Sequence, residues 1–226
     1  LGRNAKPPKH PTTRVVVIGL GRFGSSLARE LVVHGSEVLA IDSDPRLVQQ
    51  FSNDLTHVAV ADTTDQEALE ELGVPHFPHA VVGIGTDLEA SILTTSLLVD
   101  FKIPRIWAKA TSRQHGRILE RIGAHRVVLP EFDMGERIAH LVTGRMLDYI
   151  EFDDDYAMVR TTAPRTVIGT TLTKSGLREQ FNVTVVAIKR RGGEFTYATT
   201  ETVVADGDQL IVSGTIACVE SFADLV

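Results

Sequence analysis

The residues most able to do chemistry lie near the start of the chain. Gly19-Leu20-Gly21-Arg22-Phe23-Gly24 has the spacing GxGxxG. It directly follows a short apolar run, Val15–Ile18, and precedes a helical pattern. Glycines at these positions allow a tight turn, close approach of backbone to a pyrophosphate, and tight helix–sheet packing. The helix start behind them offers unpaired N–H groups and a partial positive charge to an anion. Asp42 stands eighteen residues after Gly24, at the end of the second expected strand. A carboxylate there bonds ribose hydroxyls. Asp62, at the end of the third expected strand, falls on the same sheet edge, where an adenine would lie. The alternative is a bare glycine turn with two capping aspartates. The combined context favours a bound adenine nucleotide.

Asp42 would repel the 2′-phosphate of NADP, but it does not separate NAD from ATP, ADP or AMP. Arg22 bears on that choice. A guanidinium in the glycine loop can pair a terminal phosphate bidentately, and a dinucleotide has no terminal phosphate. The bland alternative for Arg22 is a solvated side chain of the first turn.

Catalytic constellations do not stand out. His34, His57, His76, His79, His115, His125 and His140 are scattered among expected turns and helix ends. Each reads as a surface or capping residue. There is no HExxH, no nucleophile elbow and no Walker A lysine. Cys218, the single cysteine, reads as a small buried hydrophobe and excludes an internal disulfide. The reading is therefore not an enzyme.

The elements that must position these residues follow a regular rhythm. From Arg14 to Leu129, β-branched runs alternate with helical stretches six times. That pattern predicts a doubly wound parallel sheet of Rossmann type. Leu88–Phe101 is an apolar helix, and 131–149 reads as one long amphipathic helix. Beyond it, strands are expected at Tyr156–Thr161, Val183–Lys189, Phe195–Ala198, Thr202–Val204 and Gln209–Val212. Short helices are expected near Ser175–Phe181 and Ile216–Phe222. The expected division is a flexible basic tail (1–13), a nucleotide-binding domain (14–130), a crossover helix (131–150) and a small α+β domain (151–226).

Composition sets the outer limits. The chain has 226 residues, 43% of them hydrophobic, and a net charge of −6. That charge argues against nucleic-acid binding as a general function. Arg3, Lys6, Lys9 and Arg14 open the chain with no acid among them, so the remainder is more acidic still. This opening lacks the apolar core of a signal peptide. No stretch has the roughly 20 apolar residues of a membrane span. The second domain is too small to be a catalytic partner for hydride transfer.

Several segments together resemble the RCK (KTN) family. They are GLGRFG with Asp42, Asp62 within Val60–Asp65, Ile106-Trp107-Ala108-Lys109-Ala110, and Leu119–Ala124 running on to Pro130–Gly135. Leu177-Arg178 through Val183–Lys189, then Gly207–Gly214, resemble the companion RCK_C (TrkA-C) domain. The match covers residues 14–226 and is most similar to the cytosolic gating subunits of Ktr/Trk-type potassium uptake systems. The resemblance implies a cytoplasmic regulatory homo-oligomer, an octameric ring of dimers, held at the inner membrane face by a membrane potassium-translocating subunit. It implies the crossover helix as a dimer joint and Leu88–Phe101 as an assembly surface. Nucleotide contacts would come from Gly19, Gly21, Arg22, Phe23, Gly24, Asp42, Ser43, Asp62, Thr63 and Lys109. Arg22 marks the ATP/ADP-regulated type over NAD(H) binders. Glu120 would reach the phosphates through a magnesium or sodium ion. The C-terminal domain could take cyclic di-AMP against Leu172, Leu177, Arg178, Asn182 and Val183. The alternatives are an NAD(H)-binding RCK regulator of another cation channel or antiporter, and a small NAD-dependent oxidoreductase.

Overall fold

The computed structural model describes residues 13–142, 144, 146–153 and 155–226. The expected basic tail lies almost wholly outside them. The chain divides into two compact units, the first ending at Glu131 and the second beginning at Phe132.

Six parallel strands form the first unit: β1 (Arg14–Ile18), β2 (Glu37–Asp42), β3 (His57–Val60), β4 (His79–Val82), β5 (Arg105–Lys109) and β6 (Arg126–Val128). Their order is β3-β2-β1-β4-β5-β6, the doubly wound arrangement. Helices α1 (Arg22–Val33), α2 (Pro45–Phe51), α3 (Gln66–Glu71), α4 (Leu88–Asp100) and α5 (Arg113–Ile122) alternate with the strands. β1 is buried on both faces: Val15 and Val17 pack with Ala28, Val48 and Phe51, while Val16 and Ile18 pack with Leu69 and Leu98. A strand covered on both sides reads as a continuous apolar run, as Val15–Ile18 does. β1 and β4 lie side by side, yet the chain leaves them toward opposite edges of the sheet. A crevice opens at their carboxyl ends, where ligands bind in such sheets.

Helix starts are mostly capped by side chains. Asp44, Asp65, Asp87 and Ser112 accept the N–H groups of Arg46, Glu67, Ala90 and His115 at the starts of α2, α3, α4 and α5. α1 starts behind Gly21, which has no side chain to offer, so its first N–H groups remain available.

The second unit is an antiparallel sheet in the order β10-β9-β11-β8-β7. Its strands are β7 (Asp148–Asp153), β8 (Tyr156–Thr162), β9 (Thr184–Lys189), β10 (Phe195–Tyr197) and β11 (Gln209–Thr215). α7 (Leu177–Phe181) and α8 (Ile216–Ala223) complete it, with Phe222 packed against Leu210 and Val212.

Three expectations need correction. The long helix expected over 131–149 ends early, as α6 (Pro130–Val142), and β7 begins at Asp148. Met146 and Tyr149, which fall inside the expected helix, instead bury in the core of the second sheet, only 6% and 3% exposed. Val203 makes one isolated bridge to Thr171 in place of the expected strand Thr202–Val204. His115 is buried, at 3% exposed, where a surface residue was expected.

Candidate functional site

Two glycines of the phosphate loop, Gly19 and Gly24, pack in close backbone contact with Gly83, just past the end of β4. Gly19 adopts φ +92°, a left-handed conformation that other residues rarely take. A Cβ on Gly24 would fall 1.8 Å from the Gly19 carbonyl oxygen, and one on Gly83 would lie 3.2 Å from the same atom. Gly19 and Gly24 thus pack α1 and the loop against the end of β4. Gly21 has nothing within 4 Å of a would-be Cβ, so its face is open to a ligand.

A cleft of about 1090 Å³ opens in front of this loop. Of the residues expected to contact a nucleotide, Gly19, Gly21, Arg22, Phe23, Asp42, Ser43, Asp62, Thr63 and Lys109 line it. Two expected residues do not. Gly24 is buried beneath Gly19 and acts through packing. Glu120 is exposed on α5 and is not part of this cleft wall.

Asp42 is held from both sides. Its Oδ2 accepts the Leu20 N–H at 2.6 Å, and its Oδ1 accepts the Asp44 N–H at 2.8 Å. The carboxylate therefore ties the glycine loop to the end of β2. Each oxygen keeps a further lone pair for a ribose hydroxyl. Asp62 Oδ1 takes the hydroxyl and the N–H of Thr64, which hold its carboxyl below the usual range. The Thr63 hydroxyl is shared with Thr94 of α4 at 2.9 Å in the buried interior. Thr63 thus contributes to the wall with its side chain already occupied.

Arg22 is exposed and makes no ion pair among the described residues. Lys109 is the opposite case. It is 9% exposed, and its Nζ donates to Glu131 Oε1 at 2.7 Å. Gly85 borders it closely: a Cβ there would come 3.3 Å from the ammonium.

Sequence reasoning passed over the loop Gly83-Ile84-Gly85-Thr86 and Glu131, all of which line the cleft. The loop had a signal: a second Gly-x-Gly at the end of a strand beside the phosphate loop. Glu131 had none of its own, because only the fold brings the start of α6 to Lys109.

The second unit has a smaller hollow of about 320 Å³. Leu172, Leu177, Arg178 and Val183 line it. Asn182 does not; it ends α7 with a left-handed φ of +53°. Among the described residues, no group of three or more His, Cys, Asp and Glu gathers to hold a metal. No helix among them is long and apolar enough to cross a membrane.

Known families divide the chain as the fold does. Residues 15–130 match the TrkA-N domain, and residues 156–226 match the TrkA-C domain. The chain belongs to the RCK (TrkA-N plus TrkA-C) family. Within it, the chain is 37% identical to the Ktr system potassium uptake protein C of Bacillus subtilis, over 91% of this chain and 94% of that protein. It is also 37% identical to the Ktr system potassium uptake protein A of the same organism, over 88% and 90%. Among solved structures, the GsuK RCK domain superposes with a TM-score of 0.64 at 18% identity, covering 97% of this chain and 48% of that one. That likeness concerns the fold.

Proposed function

We propose that this RCK protein is a regulatory subunit of a potassium uptake system, sensing ATP against ADP and acting on a membrane subunit that carries the ion. The observation that carries the reading is Arg22. It is an exposed guanidinium, without an ion pair among the described residues, in the phosphate loop of a cleft whose Asp42 suits a ribose. The likeness to two Ktr uptake proteins over nearly their whole length supports the potassium system.

A regulator needs a ligand that distinguishes two states, because only a difference in binding free energy moves an equilibrium. A γ-phosphate on Arg22 supplies that difference, and ADP lacks it. The subunit acts as a homo-oligomer, an octameric ring of dimers, at the cytoplasmic face of the membrane. Exposed Leu88 and Leu93 on α4 and Phe132, Ile138 and Val142 on α6 offer apolar surface for assembly. Glu120, exposed on α5, serves a neighbouring copy's nucleotide through magnesium or sodium. The remaining ligands of that cation would be phosphate oxygens and water. The hollow at Leu172, Leu177, Arg178 and Val183 is the place to test for cyclic di-AMP.

NAD(H) is the second reading, favoured by Asp42 and the glycine loop, which serve a dinucleotide equally well. The test is calorimetric titration of wild type and Arg22→Ala with ATP, ADP and NADH. The reading expects Arg22→Ala to weaken ATP more than ADP. Equal losses, or NADH as the tightest ligand, would sink it. Co-purification with a membrane potassium-translocating protein tests the partner.

A further inference from the structure

The first turn of α5 buries an imidazole, His115, only 3% exposed. Its Nδ1 accepts the Thr111 backbone N–H at 3.3 Å, and the Thr111 hydroxyl lies 3.4 Å from the same nitrogen. The turn is closed from the other side by Ser112, whose Oγ accepts the His115 N–H at 3.1 Å. A backbone N–H can only donate, so Nδ1 carries the lone pair and the ring proton is on Nε2. Nε2 is buried with no hydrogen-bond partner among the described residues. Thr111 is part of the cleft wall. A Cβ on Gly85 would lie 3.7 Å from Thr111 Cγ2 and 3.3 Å from Lys109 Nζ, so these two side chains border one point of the cleft.

We infer that His115 is a positioning residue of the nucleotide cleft: its neutral imidazole holds the Thr111 segment of the wall, and a proton on Nδ1 releases it. The inference rests on the nucleotide reading above. Nδ1 has one lone pair. Once protonated it is a donor, and it then faces the Thr111 N–H, another donor. The bond is lost, and Thr111 is free to shift beside Lys109. Burial disfavours the charged ring and lowers the His115 pKa. On α5 itself the neighbouring charges, Arg113, Arg117 and Glu120, are exposed. Helix α4, packed on α5, buries the uncharged Ser91, Thr94 and Thr95, while Asp87, Glu89 and Asp100 are exposed. At the sheet, Lys109 is bonded to Glu131 and Arg126 is exposed. The wall is therefore set at neutral pH and loosens as pH falls below the ordinary histidine range. Proton and nucleotide then oppose each other, because each favours a different state of the wall.

The test is calorimetric titration of the full chain with ADP at pH 7.5 and about pH 5.5, for wild type, His115→Asn and His115→Leu, with folding checked by circular dichroism. Asparagine offers an acceptor near the Nδ1 position but takes no proton. At pH 7.5, His115→Asn should bind about as well as wild type, and His115→Leu about fivefold more weakly, the worth of one hydrogen bond. At the lower pH the wild type should lose about threefold relative to His115→Asn and approach His115→Leu. The other histidines and the phosphates of ADP titrate in all three proteins, so these ratios isolate His115. Ratios that do not change with pH overturn the inference. A wild type that tightens in acid also overturns it, since His115 would then act as a charge and not through Thr111. If one variant does not fold, the ratio to the other decides. A third measurement needs no variant: protection of the Thr111 amide from hydrogen exchange, corrected for the intrinsic rate, should drop in the wild type between the two pH values. Unchanged protection overturns the inference. Failure of the wild type to bind any adenine nucleotide overturns the nucleotide reading instead, and the exchange result still decides whether His115 holds Thr111.

Discussion

Gly24→Ala is the sharpest probe of how the phosphate loop is built. The new methyl would lie 1.8 Å from the Gly19 carbonyl oxygen and 3.0 Å from its carbon. Ordinary contacts begin near 3.4 Å, so the carbonyl would have to move by more than an ångström. It has nowhere to go. A Cβ on Gly19 would itself lie 3.1 Å from backbone atoms of Gly83 and Ile84, so the loop is already wedged against the end of β4. No flexible side chain can give way, and the cost belongs at the upper end of overpacking, about 3 kcal/mol. For a unit of this size that is a fall in melting temperature of about 10 °C. Thermal unfolding by circular dichroism without nucleotide reads it directly, and titration then reports an affinity loss of at least about tenfold. Gly21→Ala is the contrast. Its methyl meets nothing in the protein, so stability should change by less than about 1 kcal/mol. Its affinity should still fall, because the open face of Gly21 is where a phosphate approaches. A Gly24→Ala protein as stable as wild type, with unchanged affinity, would refute the close-packed loop.

Other outcomes follow from named contacts. Arg190→Ala leaves the carboxylate of Asp208, only 1% exposed, with the Ala205 N–H as its remaining hydrogen bond among the described residues. A loss of about 2 kcal/mol is expected in denaturant unfolding, relieved when Asp208→Asn is added. Burial lowers the pKa of His115, so the unfolded chain binds its proton more tightly. Stability from this group is complete above the ordinary histidine range and drains away as pH falls through it. His79 shifts the same way, by burial and by the nearby Arg105. Unfolding midpoints measured from pH 7.5 down to 5.5 should fall, and His115→Phe should flatten part of the slope. Asp148 is held low by its hydrogen bond to Arg137. Its contribution is present above the ordinary aspartate range and disappears as pH drops through the lowered value. Arg137→Met should remove that part of the acid sensitivity in the same measurement.

Much of the first unit was readable because local and global signals agree there. Val15–Ile18 is a strand by composition, Gly19 needs its left-handed turn, and Asp42 falls at the end of β2. Each of these facts is set within a few residues. What escaped depended on distant partners. Met146 and Tyr149 fit a helical apolar period as well as a strand. Only the pairing of β7 with β8 decides for the strand. His115 looked like one more surface histidine until the packing around α5 closed over it. Glu131 became a cleft residue through Lys109, which is 22 positions earlier in the chain. Glu120 had a role only by resemblance, and within one chain it stays outside the cleft.

Native mass spectrometry of the protein, purified without added nucleotide, tests the central claim most directly. It reports assembly and ligand together. The account predicts a ring of eight chains with ATP or ADP bound to each, displaced from one to the other by exchange. A monomer, or a ring whose bound mass is NAD, would contradict it.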